Sequence, residues 1–317
     1  MRINKPENVI GMKKMNYTKK FATHMENINK MRSRGVIISD VLKAEEYLSD
    51  IGYYRLGYYV FPFETTYPIL GKRRDRNVVE GTTIEDIVAF YYYNMDLRNI
   101  MYKYLSRIEV AIRSVIVYEL SNKYKENAFW YVDKTIVDSN FIKNFKEKFY
   151  DTNIRNKEQI KRFHKKYNEP FAPVWKAMEF TTFGNLETLY INLLSYTDKC
   201  LISKRFGEPA YGKFENYLSV IREVRNACAH GSVIVDLSLS NTIKAGSKAC
   251  PTISMGTQNT FGGALRIIDY ILRKISVNRT NDMWDELYRA TRKLYSKVPS
   301  LRPVIERRTG IVLTSTM

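Results

Sequence analysis

The sequence predicts an all-α, mainly helical protein, and three segments carry this prediction. Residues 41–51 repeat apolar side chains at helical spacing behind two candidate N-cap residues, Ser39 and Asp40. Residues 83–124 read as a long helix of about 40 residues, with room for one break on length grounds. Residues 262–275 and 281–298 form two further amphipathic patterns near the end of the chain.

The remaining segments fit the same class when they are taken in order. A helix is expected from Thr18 to Met31, before a stop at Gly35. An aromatic cluster, "GYYRLGYYVFPF", follows at 52–63 and leads into a loop at 64–82. Thr83 and Asp86 resemble a capping box for the long helix. The domain prediction is an N-terminal helical region, 1–80, packed on a helical domain, 81–317, with one compact unit overall.

The second half of the chain predicts shorter helices and one irregular insertion. After 170, apolar periodicity returns in two helices that Gly184 separates. The next helix ends at Gly231, because a glycine just past a helix end readily adopts the left-handed conformation. A Ser/Thr/Gly-rich connection follows at 232–260, with short β-like pieces such as "SVIVDL".

The composition favours a polyanionic partner. The 317 residues contain 51 lysines and arginines against 33 acids, a formal charge of +18, together with 24 tyrosines. Such a surplus attracts RNA, DNA or an anionic membrane face, and aromatic rings beside cations can stack on unpaired bases. The alternative is a soluble basic protein without such a partner, with most tyrosines packed in the core.

The cysteine pattern and the absence of certain sequence signals indicate where in the cell the protein is located. Three scattered cysteines without a CxxC pair fit a reducing cytoplasm. The first twenty residues contain no apolar signal region, and no apolar run approaches membrane-spanning length. We therefore expect a cytoplasmic protein without a membrane partner, a bound metal or a cofactor.

Two basic segments are candidate RNA-binding surfaces. Residues 155–166 interleave cations with aromatic rings, which is the pattern of a surface that follows a phosphate backbone, although a solvated helix would look similar. The cations there are Lys161, Arg162, Lys165 and Lys166. Arg55, in the aromatic cluster, could bind RNA together with neighbouring rings, while packing of the N-terminal helices is the alternative.

The stretch "IREVRNACAHG", 221–231, carries the candidate chemistry. Arg222, Asn226 and His230 follow each other at four-residue spacing, so each is turned only about 40° from the last and they form one polar stripe. Arg225 lies about 140° from His230 around the helix. By spacing alone, the alternative is a polar face packed on another helix.

These residue types suit RNA cleavage without a metal. A histidine at a helix C-terminus can act as acid or base near neutral pH, and an arginine can stabilise charge on a phosphorane-like transition state. Asn226 can hold the imidazole or a ribose hydroxyl, and Arg222 is a candidate contact to RNA. The ribose 2′-OH would attack its own 3′ phosphate, which leaves a 2′,3′-cyclic phosphate and a 5′-OH and spares DNA.

Several segments together resemble a known family. "RNACAH", 225–230, resembles the R-x4–6-H motif of the HEPN superfamily of helical ribonucleases. Residues 34–63, 97–116, 173–190 and 217–236 resemble, in order, the segments of Abi-like abortive-infection proteins of the AbiD and AbiF type. The resemblance covers most of 18–235.

The resemblance implies an HEPN-type helical bundle with an N-terminal helical extension. It implies that two copies pair about a two-fold axis, so that Arg225 and His230 of each copy share one cleft. It also implies a toxin in phage defence, held inactive in some relatives by a small structured RNA. Arg73 and Arg74, in the loop "GKRRDR", are then candidates for binding that RNA, together with the basic helix.

Two hypotheses follow from different classes of protein. The first is an endoribonuclease toxin with Arg225 and His230 as catalytic residues and Asn226 beside them. The second is a non-catalytic RNA-binding regulator on an HEPN scaffold, in which the motif serves folding or pairing. A third, DNA binding through a helix-turn-helix, lacks a recognition-helix signature in the sequence.

Overall fold

The computed structural model describes residues 16, 18, 20–67, 76–253 and 256–313. The chain divides into two compact units, 1–84 and 85–317. In the described part every regular element is helical, and the β-type pairing is limited to isolated bridges. The predicted all-α class is therefore confirmed.

The first unit holds three short helices in its described residues. They are α1 (His24–Arg32), α2 (Val41–Asp50) and α3 (Tyr53–Gly57). Asp40 caps α2, as the sequence predicts, because its side chain accepts a hydrogen bond from the Lys43 backbone. The predicted helix start at Thr18 is wrong. Thr23 and Glu26 form a reciprocal capping box, so α1 begins at His24.

The second unit is built around one long helix. The helix α4 (Ile84–Lys123) runs for 40 residues without a break. Its inner face buries a continuous apolar row that includes Leu97, Leu105, Ile112 and Leu120, each fully buried. Burial of that row, at about 25 cal/mol per Å² of apolar surface, holds the helix in place far more than local propensity does.

The later helices of the described chain follow α4 in sequence. They are α5 (Ser139–Phe145), which continues as a π-helical segment (Lys146–Ile154), α6 (Glu158–Lys166), α7 (Val174–Ala177), α8 (Phe183–Ile191), α9 (Tyr196–Arg205), α10 (Tyr211–Ala229), α11 (Phe261–Ile275), α12 (Val277–Lys297) and α13 (Arg302–Thr309). The two predicted C-terminal helices are confirmed as α11 and α12, whereas α13 was not predicted.

Two local predictions are wrong for identifiable reasons. Gly184 does not separate two helices, because it is the second residue of α8. The break lies at Thr182, whose side chain caps α8 by accepting a hydrogen bond from the Asn185 backbone.

The β-like pieces expected after residue 231 are also not strands in the described part. Ile234–Asp236 is a 3-10 turn, and the only bridge of this connection joins Ser238 to Thr260. The backbone N–H groups of Ile234 and Val235 donate to the side chain of Asn94, so they do not pair with a neighbouring strand.

Candidate functional site

The helix α10 ends in a Schellman motif that fixes the position of His230. Gly231 adopts φ +73°, and its N–H donates to the carbonyl of Cys228 at 3.3 Å. The N–H of Ser232 donates to the carbonyl of Ala227 at 2.9 Å. Glycine adopts this left-handed conformation without the steric cost of a Cβ. The predicted helix end at Gly231 is confirmed, and His230 becomes the C-cap residue.

His230 is exposed at this helix end. In the described part of the chain its imidazole makes no hydrogen bond or ion pair, while its backbone N–H donates to the carbonyl of Asn226 at 2.9 Å. The ring is therefore available to a ligand, and the fold does not use it for packing.

Arg225 is positioned but not saturated with partners. Its Nε lies 3.6 Å from Glu109 Oε2, which is an ion pair without a hydrogen bond. Its Nη1 donates to Asn226 Oδ1 at 3.3 Å, and its guanidinium carbon lies 5.8 Å from the centre of the Tyr102 ring. Nε is buried without a hydrogen bond, whereas Nη2 makes no hydrogen bond in the described part of the chain and is the donor left for a phosphate oxygen.

The long helix α4 supplies the partners of Arg225. Tyr102, Glu109 and Arg113 are spaced seven and four residues apart, so they lie on one face of α4. Arg113 Nη2 donates to Glu109 Oε1 at 2.9 Å and to the Thr181 carbonyl at 2.9 Å. The expected ion pair between Glu109 and Arg113 is thus present, and Glu109 also binds Arg225. We call Tyr102, Glu109, Arg113 and Arg225 the arginine cluster.

Arg222 points to a different helix. Its Nε forms an ion pair with Glu187 of α8, whose side chain is only 7% exposed, while Arg222 itself is 37% exposed. Burial raises the pKa of the Glu187 carboxyl, and the Arg222 charge partly offsets that rise. Arg222 therefore neutralises a buried carboxylate, which leaves fewer of its donors for RNA.

The Arg222→Ala variant should lose stability in a pH-dependent way. A carboxyl whose folded pKa is raised contributes stability below its unfolded pKa and loses it as pH rises through the folded pKa. Without Arg222 the pKa of Glu187 rises further, so we expect a loss of about 1–2 kcal/mol in unfolding free energy at about pH 7.5, after solvent screening, and a smaller loss near pH 5. Urea unfolding at both pH values measures the difference.

The matched control for that experiment is the double variant Arg222→Ala with Glu187→Gln, which removes the titrating carboxyl. Its unfolding free energy should change little between the two pH values. An Arg222→Ala variant that is equally destabilised at both pH values would show that lost packing, and not the ion pair, explains the effect.

Asn94 ties the chain after the motif to α4. Its side chain is fully buried, and its Nδ2 donates to the Ser232 carbonyl at 3.1 Å. Its Oδ1 accepts from the backbone N–H of Ile234 at 2.9 Å and of Val235 at 3.4 Å. A buried amide that satisfies three backbone groups fixes the path of this segment, and with it the helix end at His230.

The connection after the motif covers another side of α10. Glu223 accepts hydrogen bonds from the backbone and hydroxyl of Ser240, and Asn216 binds the backbone of Thr242 and Lys244. This insertion therefore fixes α10 from the side that does not face Glu187 or Glu109.

Cysteine chemistry is absent from this site. Cys228, next to the motif, is buried, and burial raises the pKa of its thiol to about 12. It therefore stays a protonated thiol and packs as a small apolar side chain. Within the described ranges no group of three or more His, Cys, Asp or Glu side chains could hold a metal ion.

An open groove of about 620 Å³ adjoins the arginine cluster. Arg113 lines it together with Lys125 and two half-exposed rings, Tyr118 (64%) and Trp175 (51%). Lys125 is exposed and has no carboxylate partner among the described residues. The groove thus offers cations and aromatic faces, and it shares Arg113 with the arginine cluster.

The other predicted binding residues lie elsewhere in the chain. In α6, Ile160 and Phe163 are buried and the cations are exposed, with Arg162 paired to Glu158 at 3.2 Å. Lys161, Lys165 and Lys166 have no carboxylate partner in the described part. Arg55 belongs to the first unit and is half-buried. Arg73 and Arg74 lie outside the described residues.

Sequence reasoning missed Glu187, Tyr102 and Asn94 and did not place Glu109 in the site. Tyr102 and Glu109 had a usable signal, since their seven-residue spacing puts them on one face of α4. Glu187 and Asn94 had none, because a single polar residue in an apolar helix does not reveal its partner.

Fold and site together define a class of all-α protein. An ion-pair cluster of two arginines and one carboxylate connects α4 with α10, and an exposed histidine lies at the end of α10. The chain belongs to the Abi-like protein family, whose model matches residues 46–236. Membership suggests a function in abortive infection and is compatible with nuclease activity. Neither curated proteins nor solved structures gave a match. Among the described residues, no helix combines the length and apolar character needed to cross a bilayer.

Proposed function

We propose that this chain is an HEPN-type endoribonuclease toxin of an abortive-infection system, and that Arg225 and His230 are its catalytic residues. The observation that carries the proposal is the exposed imidazole of His230, which has no partner among the described residues, on the same helix as an arginine with a free donor group. Few side chains other than histidine exchange a proton near neutral pH, so an exposed histidine on the same helix as a phosphate-binding arginine fits acid–base chemistry.

Each residue has a defined role in the proposed reaction. His230 accepts the proton of a ribose 2′-OH, and that oxygen attacks the adjacent 3′ phosphate. Arg225 stabilises the negative charge that develops on the phosphorane, and the leaving 5′ oxygen takes the proton from the imidazolium formed on His230 to give a 5′-OH. Asn226 accepts from Arg225 through Oδ1, which leaves its amide N–H groups for the ribose or phosphate.

The active assembly in this proposal is a homodimer with two-fold symmetry. Arg225 turns toward Glu109 on α4, while His230 lies at the exposed end of α10, about 140° away around the helix axis. One copy alone presents the two groups in different directions. A second copy across a two-fold axis supplies its own Arg225 and His230 to a shared cleft, since an isologous interface brings the same patch of both chains together.

RNA is the proposed partner of the basic surfaces. The unpaired lysines of α6 and the groove beside the arginine cluster offer phosphate contacts and stacking faces. RNA also supplies the 2′-OH that the reaction requires. A small structured RNA would bind the same cations and hold the toxin inactive, in the manner of an antitoxin.

The end groups of the products test the reaction class. Purified protein incubated with a labelled RNA in EDTA should yield fragments with a 2′,3′-cyclic phosphate and a 5′-OH, because the ribose supplies the nucleophile. The matched substrate is the same sequence with a single 2′-deoxy nucleotide, which should resist cleavage at that position. Products with a 3′-OH, or complete inhibition by EDTA, would contradict this mechanism.

A second function, a non-catalytic RNA-binding regulator, has one observation in its favour. Both arginines near the end of α10 contact carboxylates, Arg225 with Glu109 and Arg222 with Glu187, as structural arginines do. Binding of RNA by the regulator would depend on salt as binding by the proposed ribonuclease does, but the regulator would not cleave the RNA. Substitution of His230, treated in the Discussion, separates the two functions.

A further inference from the structure

The first unit contains a pocket that the proposed ribonuclease site does not use. It has a volume of about 260 Å³, and it lies between the end of α1 and the helix α3. Its apolar lining includes Met31, Val36 and Leu56, all buried. Pockets for drug-sized ligands measure about 300–1,000 Å³, so this one suits a smaller flat group.

Tyrosines form one wall of this pocket. Tyr54 is 78% exposed and Tyr58 is 64% exposed, and the Tyr53 ring meets Tyr54 edge to face at 5.6 Å between centroids. Large aromatic side chains that remain exposed around an apolar floor are available to stack on a ligand. The aromatic cluster of the sequence therefore divides into a packed part and an open wall.

Cations without carboxylate partners line the same pocket. Lys30, Arg34 and Arg76 all line it, and none has an ion pair with a carboxylate in the described part of the chain. Arg34 Nη1 donates to the Tyr53 hydroxyl at 3.4 Å, and Lys30 Nζ lies 5.7 Å from the Tyr53 ring. The one carboxylate of the lining, Glu64, is buried. The pocket is thus positive and demands an anionic ligand.

We propose that this pocket binds one nucleotide, with its base on the apolar floor against the tyrosines and its phosphate on Lys30, Arg34 and Arg76. A nucleotide joins a flat aromatic ring to an anion, and the pocket offers complementary groups for both. The nucleotide is either free or an unpaired residue of a bound RNA, and both present the same chemistry.

Sequence reasoning chose Arg55 from the aromatic cluster as the RNA-binding cation. The pocket instead takes its cations from α1 and the residues after it, and Arg55 is not in its lining. This proposal uses neither Arg225 nor His230, so its test is independent of the ribonuclease proposal.

The test measures binding by the full-length chain with two probes. Calorimetry with uridine and adenosine 5′-monophosphates detects a free nucleotide. Fluorescence anisotropy with a labelled single-stranded RNA and with a duplex of equal length detects an unpaired residue in RNA. Both RNAs carry 2′-O-methyl groups, so the proposed cleavage cannot interfere with the measurement.

Tyr58→Ala should weaken binding of the single strand, or of the monophosphate, by about 5- to 150-fold, because one stacked base contributes about 1–3 kcal/mol. Lys30→Gln should weaken binding of the same probes by a few-fold and lower the slope of log affinity against log salt concentration by about one phosphate contact. Duplex binding should change little, because paired bases cannot enter the pocket. If these variants lose monophosphate binding, the ligand of the pocket is a free nucleotide. If they lose only single-strand binding, the ligand is an unpaired residue of RNA.

Matched controls are available elsewhere in the chain. Tyr196 is 64% exposed, as Tyr58 is, and Lys134 is an exposed lysine without a carboxylate partner in the described part. Tyr196→Ala and Lys134→Gln should bind both probes like the unmodified protein. The proposal is overturned if Tyr58→Ala and Lys30→Gln bind no more weakly than these controls. Cleavage of unmodified RNA, measured in parallel, reports on the ribonuclease independently.

Discussion

The His230→Ala protein is expected to lose RNA cleavage by about 100- to 10,000-fold, the usual contribution of a general acid or base. The imidazole is exposed and unpartnered in the described chain, and the Schellman motif at Gly231 uses only backbone atoms. We therefore expect an unchanged melting temperature and an RNA affinity within a few-fold of the unmodified protein. Cleavage of a labelled RNA, thermal unfolding and anisotropy measure the three quantities.

The control is His24→Ala, which removes another exposed histidine at the start of α1. That variant should cleave RNA normally. Undiminished cleavage by His230→Ala would refute the catalytic assignment, while a lowered melting temperature would assign His230 a structural role. Intact folding and binding without any cleavage by the unmodified protein would favour the regulator.

The same variant tests the two-fold pair. In an equal mixture of His230→Ala and unmodified chains that exchange freely, independent copies would retain about half of the activity, whereas a site that needs both histidines would retain about one quarter. Sedimentation of the unmodified protein gives the size of the assembly. A monomer that cleaves RNA at full rate would rule out the composite site.

The Arg225→Ala protein should lose about 100- to 1,000-fold in kcat, the cost of removing one preorganised group that stabilises transition-state charge. Arg225→Lys should recover little of this loss. An ammonium is a point charge, and it cannot hold Glu109, Asn226 and a phosphate oxygen together as a planar guanidinium can. Single-turnover cleavage over a range of enzyme concentrations separates kcat from binding.

Arg107 provides the matched control for this prediction. It is an exposed arginine of α4 without a carboxylate partner in the described part, so Arg107→Ala removes one charge outside the arginine cluster. It should alter affinity slightly and leave kcat unchanged. If Arg225→Ala and Arg107→Ala behave alike, Arg225 contributes only general charge, and the transition-state role is wrong.

The helical elements were largely predictable because their signals are local. The apolar spacing of residues 83–124 predicts α4, and a glycine after an apolar pattern predicts the end of α10. Errors arose where a side chain competed with the pattern. Thr23 moves the start of α1 by capping it, and Asn94 takes the N–H groups that a strand at "SVIVDL" would have used.

The site was predictable only in part. The residues of α10 could be chosen from their spacing, but their partners lie on helices that are distant in sequence. Glu109 is more than a hundred residues before Arg225, and Glu187 lies 35 residues before Arg222. Periodicity tells which face of a helix is polar, but it does not tell which helix packs against that face.

Asn94 has a consequence for the order in which the chain can fold during its synthesis. Its hydrogen bonds join α4 to backbone groups 138 to 141 residues later in the chain. A ribosome adds about 5–20 residues per second, so α4 emerges many seconds before Ser232 and Val235 do. Until then the helix end that carries His230 has no anchor. The helix end that carries His230 therefore takes its anchored position only after most of the chain has been made.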